Sequence, residues 1–283
     1  MRLLRPICAV FVLATSVCPA AAQQRPLVTQ DPETIGAGRL LIETGVDYAH
    51  DEQYPVSGLT GNLWRLPTVG ISVGISSIAE LQIYGGLYDR LGITSRNPNA
   101  PLVGLLTATG SATHDVEDIV IGTKIRLVPE TETRPGIAFR FATKLPNASN
   151  ESGLGLDTTD FYASILAAKT VQSVRIVGNI GAGILGDPTD GNRQNDVLTY
   201  GLSFARALTT QTEFVGELNG RVSTRNGVAF PGTESLGLLK LGGRWTTGAL
   251  RLDSAIYFGL TPTDPTIGVT AGFTYVINAF KLP

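Results

Sequence analysis

The stretch DIVIGTKIRLV, residues 118–128, alternates with a period of two. Ile119, Ile121, Thr123, Ile125 and Leu127 share one face, and Asp118, Gly122, Lys124 and Arg126 share the other. An extended strand is the conformation that sorts such a pattern into an apolar and a charged face. The same sorting recurs. Residues 213–223 set Phe214, Gly216, Leu218, Gly220 and Val222 against Glu213, Glu217 and Arg221, and residues 249–259 set Leu250, Leu252, Ser254, Ile256 and Phe258 against Arg251 and Asp253. A charge facing lipid at the bilayer midplane costs about 2 to 4 kcal/mol, whereas one facing a hydrated lumen costs far less. No charge interrupts these apolar faces.

Working outward, strands are predicted at about residues 38–49, 66–75, 80–88, 117–128, 136–145, 159–168, 173–184, 196–206, 213–223, 236–246, 249–259 and 266–277. The connections between them alternate between tight turns (76–79, 129–135, 170–172, 207–212, 247–248) and generally longer loops (50–65, 89–116, 146–158, 185–195, 224–235, 260–265). Antiparallel strands that cross a membrane produce this parity, and a soluble sandwich has no reason to keep it. Tyr48, Phe204, Trp245, Phe258 and Tyr275 sit on apolar faces near strand ends, as in interfacial aromatic girdles. The expected fold is therefore all-β: a transmembrane antiparallel up-and-down barrel of about twelve strands.

The polar faces then line the lumen. They carry ten bases (Arg39, Lys124, Arg126, Arg140, Lys144, Arg175, Arg221, Lys240, Arg244, Arg251) and seven acids (Glu43, Asp47, Asp118, Asp160, Glu213, Glu217, Asp253). This surplus of bases predicts a weak preference for anions.

Composition agrees with a barrel. Only 16% of the 283 residues are charged, the formal charge is -2, and glycine numbers 33. These values disfavour a disordered tail and a nucleic-acid partner. Beyond residue 22 no window approaches the roughly 18 apolar residues that a membrane helix needs. Residues 1–22 carry Arg2 and Arg5, an apolar run from Ile7 to Val17 and a closing Ala20-Ala21-Ala22, and read as a cleaved secretory signal peptide. Cys8 and Cys18 both lie in it, so no disulfide framework is expected in the exported chain. Residues 23–35 are then a short periplasmic or lumen-entering segment, and 36–283 the barrel.

Several short motifs suggest chemistry that their context denies. Gly70-Ile71-Ser72-Val73-Gly74 matches a nucleophile elbow, but that motif needs a strand-to-helix turn, and here it lies within an alternating strand. Gly181-Ala182-Gly183-Ile184-Leu185-Gly186 matches a dinucleotide fingerprint, yet loop residues follow it where a helix should open. His50 and His114 fall near strand ends and lack the His-x-Ser pair of outer-membrane lipid hydrolases. Asp187, Asp190 and Asp196 do not have calcium-loop spacing. Neither an enzymatic activity nor a cofactor or metal is expected.

Several longer stretches resemble the outer-membrane transporter family named for the MetA pathway of phenol degradation: residues 116–128, 135–147, 155–169, 198–221 and 250–277. The last strand, Thr270-Ala271-Gly272-Phe273-Thr274-Tyr275-Val276-Ile277, also looks like the C-terminal signal read by the barrel assembly machinery. The resemblance implies a location in the bacterial outer membrane, contact with its lipid, and passive transport of small solutes, with hydrophobic or aromatic compounds as cargo. A closed binding or structural barrel is the alternative.

Overall fold

The computed structural model describes residues 25–280, so the leader lies outside the described residues. Its strands are β1 (Arg39–Tyr54), β2 (Leu59–Gly74), β3 (Ala79–Gly86), β4 (Asp89–Arg96), β5 (Ala112–Asp115), β6 (Val120–Val128) and β7 (Gly136–Lys144). They continue with β8 (Asp160–Val171), β9 (Val174–Gly186), β10 (Gln194–Ala207), β11 (Thr212–Ser223), β12 (Leu236–Thr247), β13 (Leu250–Gly259) and β14 (Ile267–Asn278). Neighbours pair antiparallel in the order β1-β14-β13-β12-β11-β10-β9-β8-β7-β6-β3-β2, and β2 pairs back to β1. Twelve strands thus close a barrel. β4 pairs with the first half of β2, and β5 pairs with β4. They continue the β3 and β6 staves past breaks at Leu87-Tyr88 and Val116–Ile119.

Closure joins Arg39 of β1 to Asn278 of β14, in a register that runs without interruption to His50 and Ile267. The amide of Phe280 then donates to the carbonyl of Gly38. Every backbone group in the wall can find a partner in this arrangement, which an open sheet edge in lipid could not provide.

Outward positions form an apolar belt that includes Ile121, Ile125, Phe139, Ile165, Ile180, Leu202, Leu218, Leu241, Leu252 and Val269, all exposed. Two groups of aromatic residues bound it. Phe204, Phe214, Trp245 and Tyr275 lie toward the short-turn end, and Tyr48, Trp64, Phe161 and Phe258 toward the long-loop end. Tyr48 and Trp64 are cross-strand partners with ring centroids 4.8 Å apart. Such rings suit the headgroup level.

Above Trp64 the wall changes character. Residues 50–65 and 89–116, expected as loops, contain the top of β1, the first half of β2, all of β4 and β5. Here the inner face is apolar: Ala49, Leu59, Leu63 and Leu91 are buried with Tyr257, against Tyr54, Ile93, Leu106, Leu154 and Leu238. The outer face instead presents His50, Asn62, Arg90 and His114. This inversion gives the extension its own apolar core and a polar outer face, the pattern of a sheet whose outside meets water. Each buried leucine contributes about 1.5 to 3 kcal/mol. At the changeover both Leu66 and Pro67 of β2 face outward, as do Leu87 and Tyr88. An extra residue in β2 between its Gly45 and Asp47 pairings makes the bulge.

Candidate functional site: the lumen

Residues 25–35 lie inside the barrel and run around its inner wall, meeting one strand after another. The Arg25 guanidinium donates to Thr68 Oγ1 (3.1 Å) and Thr270 Oγ1 (3.0 Å), and its Nε lies 3.4 Å from Asp253. The Arg25 amide bonds Glu43, and its carbonyl accepts from Arg244 Nε at 2.8 Å. Lys240 Nζ donates to the Pro26 carbonyl at 2.9 Å. Glu217 accepts the amides of Val28 and Thr29. Asn179 exchanges two hydrogen bonds with the backbone of Gln30. Asp31 pairs with Arg175, and its carbonyl accepts from Lys124 Nζ at 2.8 Å. Glu33 pairs with Arg126, and the Ile35 amide donates to Glu80 Oε2 at 2.8 Å.

The wall is shaped for this segment. Gly45 and Gly272 are cross-strand partners; a Cβ on Gly45 would stand 2.4 Å from the Ala271 carbonyl oxygen and 2.3 Å from Arg25 Nη2, and one on Gly272 2.3 Å from the Thr44 carbonyl oxygen and 2.6 Å from Arg25 Nη2. Glycine here is required by close approach. A Cβ on Gly201 would lie 2.7 Å from Thr29 Oγ1.

The remaining lumen residues expected from the sequence are paired with the end of the internal segment, the wall or loops. Arg39 donates to the Ile35 carbonyl and Arg140 to Gln82. Lys144 bridges Asp118 (2.9 Å) and Asp160 (3.2 Å). Glu213 lies 3.7 Å from both Arg244 and Arg251, and Arg221 donates to the carbonyls of Glu234 and Gly232.

A second charged centre lies where polarity inverts. Arg65 is ringed by Asp47 (3.0 Å), Glu52 (3.6 Å), Asp89 (3.7 Å) and Glu117 (3.9 Å), and Tyr257 donates to Asp47 Oδ1 at 2.8 Å. Of these, sequence parity found Asp47 alone. Arg65, Glu52 and Asp89 lie in stretches expected as loops. Glu80, by contrast, stood at an inward position of an expected strand and was legible there by parity with Gln82. Together with Arg25, Asp31 and Glu33, the missed groups add two bases and six acids. The balance of the named lumen charges moves from +3 to -1, which removes the basis for anion preference.

Outside the strands, three carboxyls are held below the ordinary range. For Asp31, burial opposes ionisation, but the hydrogen bond and charge of Arg175 and the Glu33 amide outweigh it. Glu130, in the β6–β7 turn, is likewise desolvated and likewise overruled, by the Thr170 amide and Arg175. Asp187 accepts from Thr189 and pairs with Arg193, so it caps its own loop.

Two cavities share the lumen. One, of about 390 Å³, lies beside Arg25, Glu43, Tyr84 and Arg140. The other, of about 380 Å³, sits under the long loops between Tyr54, Leu154, Leu156, Leu238 and Tyr257, with Asp47, Glu52 and Arg65 at its polar side. Val28, Asp47 and Lys240 line both.

The misleading motifs fall where their strands put them. Gly70–Gly74 lies inside β2, with Ser72 buried and facing inward, and Gly181–Gly186 lies inside β9. His50 contacts Asn62 Oδ1 at 2.7 Å, and His114 stacks on Tyr88, both on the outer face of the extension.

Fold and lumen together define a membrane-spanning β-barrel of twelve staves with an internal segment. No family model and no curated protein matches the chain. Among solved structures it is similar to the translocator domain of the autotransporter NalP from Neisseria meningitidis, at 12% identity over 85% of this chain and 88% of that one, TM-score 0.46. It is also similar to a loop-deletion mutant of OmpT, an outer membrane protein of Vibrio cholerae (10%, 84% and 98%, TM-score 0.42), and to the toluene transporter TodX of Pseudomonas putida (10%, 85% and 88%, TM-score 0.38).

Proposed function

We propose that this chain is a non-enzymatic outer-membrane channel for passive movement of small solutes, and that residues 25–35 close it. The observation that carries the reading is how the segment is held. Its contacts are side-chain hydrogen bonds and ion pairs with successive strands, and the wall's own ladder closes without it. Releasing the segment leaves the barrel intact and joins the spaces on either side of it. On this reading the short-turn end is periplasmic, the belt meets outer-membrane lipid, and β14 engages the assembly machinery. The family resemblance supports hydrophobic or aromatic compounds among the solutes.

The test is a reversible lock. A Cβ on Gly201 would lie 3.4 Å from Thr29 Cβ, close to the roughly 3.5 to 4.5 Å spanned by a disulfide. In planar bilayers the T29C/G201C barrel should stay silent when oxidised and show opening events when reduced, as the docked segment is transiently released, and a barrel lacking residues 25–35 should conduct continuously. Equal conductance of the oxidised and reduced forms would take the segment out of the path. Silence of all three would favour the second reading, a closed binding barrel, which the apolar cluster under the loops supports.

A further inference from the structure

We infer that the cavity under the long loops binds a compact solute with an apolar body and one cationic nitrogen. The inference rests on the lumen reading above and adds the solute's chemical class. The cavity is about 380 Å³, and Tyr54, Leu154, Leu156, Leu238 and Tyr257 give it apolar and aromatic walls. Such walls desolvate a small ring-sized body, and a few convergent polar groups set its orientation.

Those polar groups carry a net negative charge. Asp47 and Glu52 face the cavity, with Asp89 and Glu117 behind them, and the guanidinium at their centre is Arg65. Four carboxyl groups surround one guanidinium, and burial together with their mutual repulsion pushes Glu52, Glu117 and Asp89 up, Asp89 to about 7, so the ring is short of positive charge. Counted over the lining itself, three bases (Arg65, Arg221, Lys240) face four acids (Asp47, Glu52, Glu234, Asp264), so one negative charge is left over. Lys240 also shows that the aromatic wall accepts a cation, since its Nζ lies 5.5 Å from the centroid of the Tyr257 ring. A solute ammonium between Glu52 and the tyrosine rings would meet both an acceptor and a π face.

The test uses three probes of one size on the full mature barrel in detergent: benzylamine, benzyl alcohol and benzoate, with affinities from calorimetry. Benzylamine should bind at least tenfold more tightly than benzyl alcohol, and benzoate more weakly than either. In Glu52→Gln the tenfold advantage of benzylamine over benzyl alcohol should disappear. Leu154→Trp, which fills the cavity, should weaken all three. Equal affinities of benzylamine and benzyl alcohol in the unmodified barrel would overturn the inference, as would an advantage that survives Glu52→Gln. Binding in detergent needs no conduction. A silent barrel that prefers benzylamine would therefore refute only the channel, and a conducting barrel without the preference would refute only this solute class.

Discussion

Arg25 illustrates how single residues hold the internal segment. Asp253 is fully buried beside it, and the two cross-strand glycines leave room for its guanidinium. Arg25→Leu removes the ion-pair partner of a buried carboxylate and should cost about 3 kcal/mol in urea unfolding of the refolded barrel. The double variant R25L/D253L should regain most of that loss, because a buried pair replaced by apolar groups is often nearly neutral. No recovery in the double variant would show that Arg25 acts through its backbone contacts. Asp31 adds a pH dependence of definite sign. Its folded pKa lies below the ordinary 3.8, so its contribution is present above the unfolded value and is lost as pH falls through the folded one. A spin label at V28C should therefore stay immobile at neutral pH and gain mobility only below about pH 4. In Asp31→Asn the label should be mobile already at neutral pH, and an unchanged label would remove Asp31 from the docking contacts.

At the scale of elements, the informative contrast is between the belt and the extension. Both are β-structure with period-two alternation, but one turns its apolar face to lipid and the other turns it inward. Leu252 lies on the belt, and Thr60 faces outward on the extension. Leu252→Arg should reduce the folded fraction by an amount equivalent to about 2 to 4 kcal/mol, as read from heat-modifiable gel mobility. Thr60→Arg should stay within about 0.5 kcal/mol of the unmodified barrel. Equal penalties would place the top of β2 in the membrane. This contrast is why period-two sorting marks β6, β11 and β13 as strands with an apolar outer face and leaves β4 and β5 unmarked. In β4, inward Leu91 and outward Arg90 reverse the rule that identified the other strands.

For the whole molecule, the sum of lumen charge decides ion preference once the segment is displaced. Without residues 25–35 the lumen loses Arg25, Asp31 and Glu33, while the Arg65 ring keeps its acidic surplus. A barrel lacking the segment should still show its selectivity set by wall groups, and reversing Arg244 and Arg251 to Glu should move the reversal potential toward cations in a salt gradient. That shift should shrink near ~1 M salt, where screening acts within about 3 Å. An unchanged potential would place these two arginines outside the conduction path.

The sequence by itself determined the barrel class, the approximate strand number and the inward face of most strands. The physical reason is local: side chains alternate along any strand, and lipid tolerates no charge on one of the two faces. Tertiary structure alone decided the rest. Residues 25–35 have no periodicity to read, and their partners lie far away in the chain, Thr270 being 245 residues from Arg25. The Arg65 ring is likewise assembled from β1, β2, β4 and the β5–β6 connection. Its members become neighbours only when the extension folds, and there burial comes from loops that pack over an apolar inner face, so the polarity that marks a strand in lipid points the opposite way.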